Sequence, residues 1–349
     1  MMDYDELEPS EFEEIEDFQY SLTSFGIDFD VVGLVRRFIN GSIYAPEFQR
    51  NYVWNLRKAS KFIESLLLGL PVPGIFLFKE EEDQKMLIID GLQRLTSISS
   101  YLNNNFKGKK FKLVGVNELF NNKTFEELDP IQRLKLEDTL LHATVIKPDD
   151  PKEKNTESIY LIFERLNTGG MNLSPQEIRN CIYQGDFLSL ILELGNLQQF
   201  LDLLKIDTKR KKHEEICLRL LALTFRYEAY TGNMKSFLNS FLDENRNFEI
   251  VDKETISKVF TKTINIITTN IGGELFRLKK GPINLAILDS VFVGIANTIL
   301  NDKSIDQTKI KENLESIINS KVFQETIQTG KTHHTDSVKK RIDQIKDNI

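Results

Sequence analysis

The stretch KMLIIDGLQRLTSISSYL, residues 85–102, changes its hydrophobic period at one Asp-Gly pair. Up to Ile89 the residues are strand-forming, whereas from Leu92 onward apolar side chains recur at helical spacing. A chain that ends a strand at Asp90 and turns on Gly91 into a helix directs the free N–H groups of that helix off the sheet edge. This feature predicts an α/β unit with an anion site at the strand–helix junction.

Other segments of the first half predict elements of both kinds. One helix is expected after Asp30, a candidate N-cap, with a stop at Gly41, and a second from about Asn55 to Leu70. Besides KMLIID, strands are predicted at GIFLFKE, FKLVG and ATVIK, with a helical segment at FEELDPIQRLKLED.

Beyond about Lys152 almost every segment has a helical period. The predicted fold class is therefore α+β, a mixed α/β domain followed by an all-helical domain. The first eighteen residues hold nine acids and no base, which favours a solvated, flexible tail over an arm that covers a basic surface. The predicted domains are an acidic tail over 1–20, the α/β domain over 21–150 and the helical domain over 151–349.

The overall charge limits how the chain can contact DNA. With a net charge of -7 the molecule repels a polyanion at long range, so a protein that coats nucleic acid is excluded. Any DNA contact must come from local basic patches such as residues 107–110 or 209–212, and we expect it to be weak and salt-sensitive.

Cysteine usage and hydropathy indicate a cytoplasmic protein. Cys181 and Cys217 lack the spacing of a redox pair or a zinc site, so we expect reduced core thiols. The acidic start does not fit a secretory signal. The apolar stretch GPINLAILDSVFVGIANTIL carries Asp289 and two asparagines, which are costly inside a bilayer, and it predicts a buried helix without membrane contact.

Four residues give the Asp-Gly junction its chemistry. Arg94 can fork onto phosphate oxygens, and Gly91 lets a phosphate approach the backbone. Asp90 suits a Mg²⁺ ion bound to that phosphate, while Gln93 could orient a water molecule. The alternative is that Asp90 caps the helix and Arg94 pairs with a surface acid. These residues alone leave both interpretations open.

A second cluster, PEFQRNYVW, places Gln49 and Arg50 among the rings of Phe48, Tyr52 and Trp54. An arginine between aromatic residues often does no more than pack its stem on a ring. Two arginines that converge on one anion are, however, a common arrangement for binding a nucleotide.

A third cluster is FERLNTGGMNLSPQEIRN. Ser174 and Glu177 spell a capping box, so Glu177 needs no catalytic explanation. Asn167, Gly169 and Gly170 have no such explanation, because a double glycine between two helices is more than a turn requires and could bring backbone amides to a ligand. We expect this loop and Arg94 to meet at a ligand pocket.

In that order, the segments PEFQRNYVW, ESLLLGLPVPGIFLF, IDGLQRLTS and FERLNTGGMNLSPQEIRN resemble the DNA-sulfur and modified-cytosine restriction proteins whose N-terminal domain is named after GmrSD. The similarity spans about residues 28–185. It implies a ParB/sulfiredoxin-like α/β domain in which the DGxQR motif binds and hydrolyses a nucleotide in defence against foreign DNA. With the phosphate and Mg²⁺ chemistry of the junction, we expect that nucleotide to be a nucleoside triphosphate bound with Mg²⁺.

The resemblance also implies roles for particular residues. It points to Asp90, Gly91, Gln93 and Arg94. With the chemistry argued above, we expect Asp90 and Gln93 to be catalytic, Asp90 to hold the metal, and Gly91 and Arg94 to bind the nucleotide. The neighbours that the resemblance implies are Gln49, Arg50 and Asn167, and the double glycine adds Gly169 and Gly170 to the expected nucleotide contacts. The family favours a glutamine where this chain has Leu92. If that glutamine touches nucleotide or water, hydrolysis is weak here and binding without turnover becomes credible.

Many relatives continue into an HNH nuclease domain, whereas none of the four histidines here makes a convincing metal pair. The sequence therefore favours a nucleotide-binding, NTP-hydrolysing subunit of a restriction or anti-phage system. We expect it to act with a separate HNH-type nuclease or effector and to leave DNA intact alone. The alternatives are a non-enzymatic reader of modified DNA and a ParB-like nickase. Self-association stays open.

Overall fold

The computed structural model describes residues 22–45, 52–79, 84–148, 156–166, 173–277, 281–327 and 332–349. Its contacts divide these residues into two compact units, which join at residues 158 and 159 of the continuous chain. The first unit holds a sheet with helices, and the regular elements described in the second unit are helices. The chain is thus α+β, as predicted.

Five strands form one mixed sheet in the first unit, in the order β1-β5-β3-β4-β2. β1 and β5 are antiparallel, as are β3 and β4, whereas β3 runs parallel to β5 and β2 runs parallel to β4. The strands are β1 (Leu22–Asp30), β2 (Ile43–Tyr44), β3 (Ile75–Lys79), β4 (Met86–Asp90) and β5 (Leu140–Pro148).

In the described part of the first unit, four helices accompany the sheet. They are α1 (Val31–Ile39), α2 (Leu56–Leu68), α3 (Leu92–Leu102) and α4 (Pro130–Glu137). The N-caps of α1 and α2 lie where the sequence predicts the helices to begin. Asp30 accepts from the Gly33 N–H at 2.6 Å, and Asn55 accepts from the Lys58 N–H at 2.9 Å. Their apolar faces share one core with the sheet, which includes Leu34, Ile63, Ile88, Leu95 and Val145.

One strand prediction for this unit is wrong, and β1 and the two-residue β2 were not predicted. The FKLVG segment forms no strand; it buries Phe111 and Leu113 in irregular chain, whose N–H groups find other acceptors. The Phe111 N–H donates to the Asn104 side chain at 3.1 Å, and the Val114 N–H donates to Ser60 Oγ at 3.0 Å. In contrast, β1 was not predicted, because its alternation is obscured by Gly26 and two aspartates and because most of its residues are exposed.

The second unit is built from helices that pack through buried apolar faces. The helix α12 is buried along most of its length, as predicted from its apolar sequence. Its buried Asp289 is paired by the Arg219 guanidinium, with Nε and Nη2 at 2.9 and 2.8 Å from Oδ2. The helices are α5 (Thr156–Leu166), α6 (Pro175–Ile182), α7 (Asp186–Gly195), α8 (Gln198–Leu204), α9 (Lys212–Arg226), α10 (Met234–Glu244), α11 (Lys253–Ile266), α12 (Leu285–Leu300), α13 (Ile310–Ile318), α14 (Lys321–Thr326) and α15 (Thr335–Lys346).

The described residues contain no single helix that is long and apolar enough to cross a membrane. Taken together, α7 and α8 have sufficient length and apolar composition, but the two helices are bent by 63° relative to each other.

Candidate functional site

The Asp-Gly junction forms as the sequence predicts. β4 ends at Asp90, Gly91 follows with φ +108° and ψ 1°, and α3 begins at Leu92. A side chain at position 91 would meet Ile75 in the neighbouring strand, with its Cβ only 2.8 Å from the Ile75 Cβ. Both the backbone angle and the close approach therefore require glycine.

Asp90 and Arg94 are bound to each other across the first turn of α3. Arg94 Nη2 lies 2.8 Å from Asp90 Oδ2 and also donates to the Gly74 carbonyl at 2.9 Å. The other carboxylate oxygen of Asp90 accepts from the Gly91 N–H at 2.7 Å. The Arg94 side chain is mostly buried, whereas the carboxylate is 35% exposed. The pair thus combines an accessible acid with an arginine fixed against the sheet.

Gln93 ties another segment to α3. Its side-chain oxygen accepts from the N–H groups of Val53 and Trp54, at 2.9 and 3.2 Å. One turn further along α3, Ser97 Oγ lies 2.7 Å from the hydroxyl of Tyr52. Burial raises the pKa of Tyr52, and the hydrogen bond with Ser97 partly opposes that rise. The second half of the PEFQRNYVW motif therefore lies along α3.

The predicted site residues thus divide into two sets. Asp90, Gly91, Gln93 and Arg94 lie together at one junction. The others lie outside the described residues, namely Gln49, Arg50, Asn167, Gly169 and Gly170. The water-positioning role of Gln93 stays a prediction. Its side-chain oxygen accepts two backbone N–H groups, so that oxygen is already engaged.

Sequence patterns did not reveal three groups that support the junction. The Gly74 carbonyl holds Arg94, and the Tyr52 and Ser97 hydroxyls join two segments 45 residues apart. Glycine before a strand and serine on a helix are too common to predict such contacts. The aromatic and polar composition of PEFQRNYVW was the available signal for Tyr52.

The third motif begins α6 as predicted. Ser174 accepts from the Glu177 N–H at 3.2 Å, while Glu177 accepts from the Ser174 N–H at 2.6 Å. This reciprocal capping box explains the acid without catalysis.

Arg179, further along α6, is the centre of a buried polar network. Its guanidinium donates to Asn239 Oδ1 at 2.9 Å and to Glu215 Oε2 at 3.0 Å. Burial opposes ionisation of Glu215, but Lys212 and Arg179 lower its pKa overall. The network therefore joins α6, α9 and α10 in the second unit.

The cysteines and histidines of the described residues form no metal centre. Cys181 and Cys217 are free and buried, and burial raises the pKa of both thiols well above its ordinary value. Across the described ranges, no group of three or more His, Cys, Asp or Glu side chains could hold a metal ion. A metal at the junction would thus depend on a ligand for most of its coordination.

Comparison with known proteins identifies one similarity. Residues 32–184 match the family model described as the GmrSD restriction endonuclease, N-terminal domain. No curated protein and no solved structure matches the chain.

Proposed function

Because residues 32–184 match the GmrSD restriction endonuclease N-terminal domain family, we propose that the chain acts in restriction of foreign DNA as a subunit that binds and hydrolyses a nucleoside triphosphate. The Asp90–Arg94 pair at the start of α3 is the observation that supports the nucleotide site. A separate HNH-type nuclease or effector then cuts the DNA.

The pair suits a ligand that carries both charges. Arg94 and Asp90 neutralise each other in the free chain, at 2.8 Å. A triphosphate with Mg²⁺ offers an anion to the arginine and a cation to the carboxylate, so one ion pair is exchanged for two. The Gly91 N–H and the Gly74 carbonyl hold the two partners in place for that exchange.

The residues present fit a metal that arrives with the nucleotide. Mg²⁺ is commonly bound by one or two carboxylates together with phosphate oxygens and water, and Asp90 supplies one exposed carboxylate. When bound, the ion would neutralise charge that develops on the phosphate oxygens. Gln93, held beside the turn, is the residue that we propose to orient the attacking water.

Leu92 limits what this site achieves. The residue stands at the first helical position, where the related proteins favour glutamine. Its apolar side chain can neither donate to a phosphate nor hold a water molecule. We therefore propose slow turnover, with nucleotide binding as the step that signals to the partner.

Phosphate release by the purified full chain tests the proposal. With Mg²⁺ and each of the four common ribonucleoside triphosphates, we expect slow release that falls at least about tenfold in Asp90→Asn, since losing one charge-assisted contact costs roughly 1.5–3 kcal/mol. Asp28→Asn, an exposed acid in β1, is the matched control and should not change the rate. Equal release by wild type and Asp90→Asn would contradict the assignment of Asp90.

A further inference from the structure

Beside the junction lies a surface on which two lysines cover aromatic rings. The aromatic–lysine surface consists of Tyr52, Trp54, Lys58, Phe106 and Lys107. We propose that it binds a single strand of DNA, with bases stacked on Tyr52 and Trp54 and phosphates on Lys58 and Lys107. The surface is distinct from the triphosphate site. That its single-stranded ligand is DNA, and not RNA, rests on the proposed role in restriction.

The first ring–lysine pair lies at the start of α2. Lys58 Nζ lies 4.9 Å from the centroid of the Trp54 ring, and Phe62 supports that ring edge-on at a centroid distance of 5.7 Å. Acids are favoured in the first turn of a helix, yet α2 has none there and carries Arg57 and Lys58 instead. Such a placement raises the positive potential next to the indole.

The second pair lies on the turn after α3. Lys107 Nζ lies 5.4 Å from the Tyr52 ring centroid and 5.8 Å from that of Phe106, and the two rings meet edge to face. Lys107 and Gly108 both have positive φ, 51° and 82°, between the bridged residues Phe106 and Lys109. Asn or Gly is preferred at such positions, so the exposed Lys107 adopts a backbone conformation that lysine disfavours.

Within the described part of the chain, none of these cations is paired with a carboxylate. Among the described residues, no ion pair involves Lys58, Lys107, Lys109 or Lys110, although other lysines of this unit, such as Lys61 and Lys112, are paired with glutamates. All four unpaired lysines are exposed. Without a carboxylate to displace, a phosphate can replace the ring as the partner of each ammonium group.

The two rings are held in place by α3. Gln93 accepts from the N–H groups of Val53 and Trp54, and Ser97 bonds the Tyr52 hydroxyl. Both rings are partly exposed and pack on the core of the first unit. A base could therefore stack on a fixed platform while the flexible lysine moves aside to a phosphate.

The geometry favours a single strand over other nucleic acid ligands. Two separate ring–lysine pairs suit at least two base–phosphate units, whereas a mononucleotide has one base. In a duplex the base faces are covered by their neighbours, so rings cannot stack on them without unpairing. Aromatic faces among cations are typical of proteins that bind single strands with little sequence preference.

Fluorescence anisotropy with a labelled twelve-nucleotide thymidine strand tests the proposal on the full chain. The double variant Lys58→Ala/Lys107→Ala should weaken binding and lower the salt slope of log K by about 1.4, since each phosphate contact on a single strand contributes about 0.7. Lys258→Ala/Lys262→Ala, which removes two exposed lysines of α11, changes net charge equally and should leave the slope unchanged.

A substitution of the ring tests stacking separately. Trp54→Leu should weaken strand binding by roughly 5- to 150-fold, the loss expected for one base–aromatic contact, whereas Trp54→Phe should retain much of the affinity. Since Trp54 also packs on Phe62, circular dichroism must show that both variants fold. If Trp54→Leu does not fold, the lysine variants still test the proposal.

Two results would overturn the proposal. One is an equal salt slope for the wild type and the Lys58/Lys107 variant. The other is that the Lys58/Lys107 and Trp54→Leu variants lose affinity for a nucleoside triphosphate with Mg²⁺ while their strand binding is unchanged. That result would show that the rings bind the base of the nucleotide. Strand binding that persists in Arg94→Ala, with triphosphate binding absent in every protein, would instead refute the proposed function and leave this surface intact.

Discussion

At residue 91 the chain has little freedom. The left-handed φ of +108° and the contact with Ile75 both exclude a side chain, and they coincide where β4 passes into α3. The short distance between Asp90 and Arg94 depends on this turn, because a shifted helix start would separate positions 90 and 94.

We expect Gly91→Ala to lower the free energy of unfolding by at least about 2 kcal/mol, since backbone strain and overpacking each cost roughly 1–3 kcal/mol. Gly41→Ala is the matched control, because Gly41 has φ +78° but a Cβ added there would meet nothing within 4 Å. Gly41→Ala should lower the free energy of unfolding only by the cost of the backbone strain. Urea unfolding of both variants measures the difference, and equal losses would show that the contact with Ile75 is unimportant.

The sequence revealed those site residues that local pattern determines. Asp90, Gly91, Gln93 and Arg94 were identifiable because a strand period changes to a helix period within five residues. The Gly74 carbonyl was not, because its contact with Arg94 joins positions 20 residues apart and involves only backbone. Every residue has a backbone carbonyl, so the residue type does not show which carbonyl accepts a hydrogen bond.

Among the elements, the wrongly predicted strand at FKLVG and the missed strand β1 have opposite causes. FKLVG has the composition of a strand, but the side chains of Asn104 and Ser60 accept its Phe111 and Val114 N–H groups, and Leu113 exchanges backbone hydrogen bonds with the turn at residues 122 and 123 in place of a ladder. β1 has a weak composition, yet β5 pairs with it over nine residues. Strand formation depends on a distant partner, whereas the helices were predicted well because their caps and periods are local.

The buried network around Arg179 makes a prediction for α6 and α9. Arg179→Met should lower the free energy of unfolding by at least about 2 kcal/mol, because it removes the donor of Asn239 Oδ1 and of Glu215 Oε2, and each buried acceptor left unsatisfied costs roughly 1–3 kcal/mol. Lys212 still pairs with the other carboxylate oxygen of Glu215. Arg226→Met makes the same substitution in a more exposed pair with Glu244 and should cost about 1 kcal/mol or less. Denaturant unfolding compares the two variants, and similar losses would contradict a structural role for the network.

For the whole molecule, the response to acid should depend on His213. Burial lowers the pKa of this histidine below the ordinary value of 6.5, and Lys211 lowers it further, against the opposing effect of Glu214. The unfolded chain therefore takes up the proton first as the pH falls. The associated stability is present above pH 6.5 and is lost below it, by up to about 1.4 kcal/mol per pH unit.

Thermal unfolding between pH 7.5 and 5.5 measures this loss. His213→Gln cannot take up the proton, so its melting temperature should fall less over that range than that of the wild type. His142→Gln, in which the histidine is exposed and paired with Asp28, is the control and should follow the wild type. Parallel curves for wild type and His213→Gln would exclude His213 as the acid-sensitive group.

The composition of the whole chain predicted its class and the limits on its partners. Alternating periods in the first half and helical periods in the second were sufficient for the α+β class. The net charge of -7 restricts nucleic acid to local patches, and the aromatic–lysine surface includes part of one that the sequence indicated, residues 107–110. Its partner rings at Tyr52 and Trp54 could not be assigned to it, since they lie about fifty residues away in sequence.

Calorimetric titration of the full chain with a nucleoside triphosphate and Mg²⁺ tests the central claim most directly. We predict measurable binding that Arg94→Ala weakens by roughly 1.5–3 kcal/mol, the value of a charge-assisted hydrogen bond. Arg36→Ala, an exposed arginine of α1, should bind as the wild type does. No heat with any of the four triphosphates on folded protein, or equal affinity for wild type and Arg94→Ala, would contradict a nucleotide site at the Asp90–Arg94 junction.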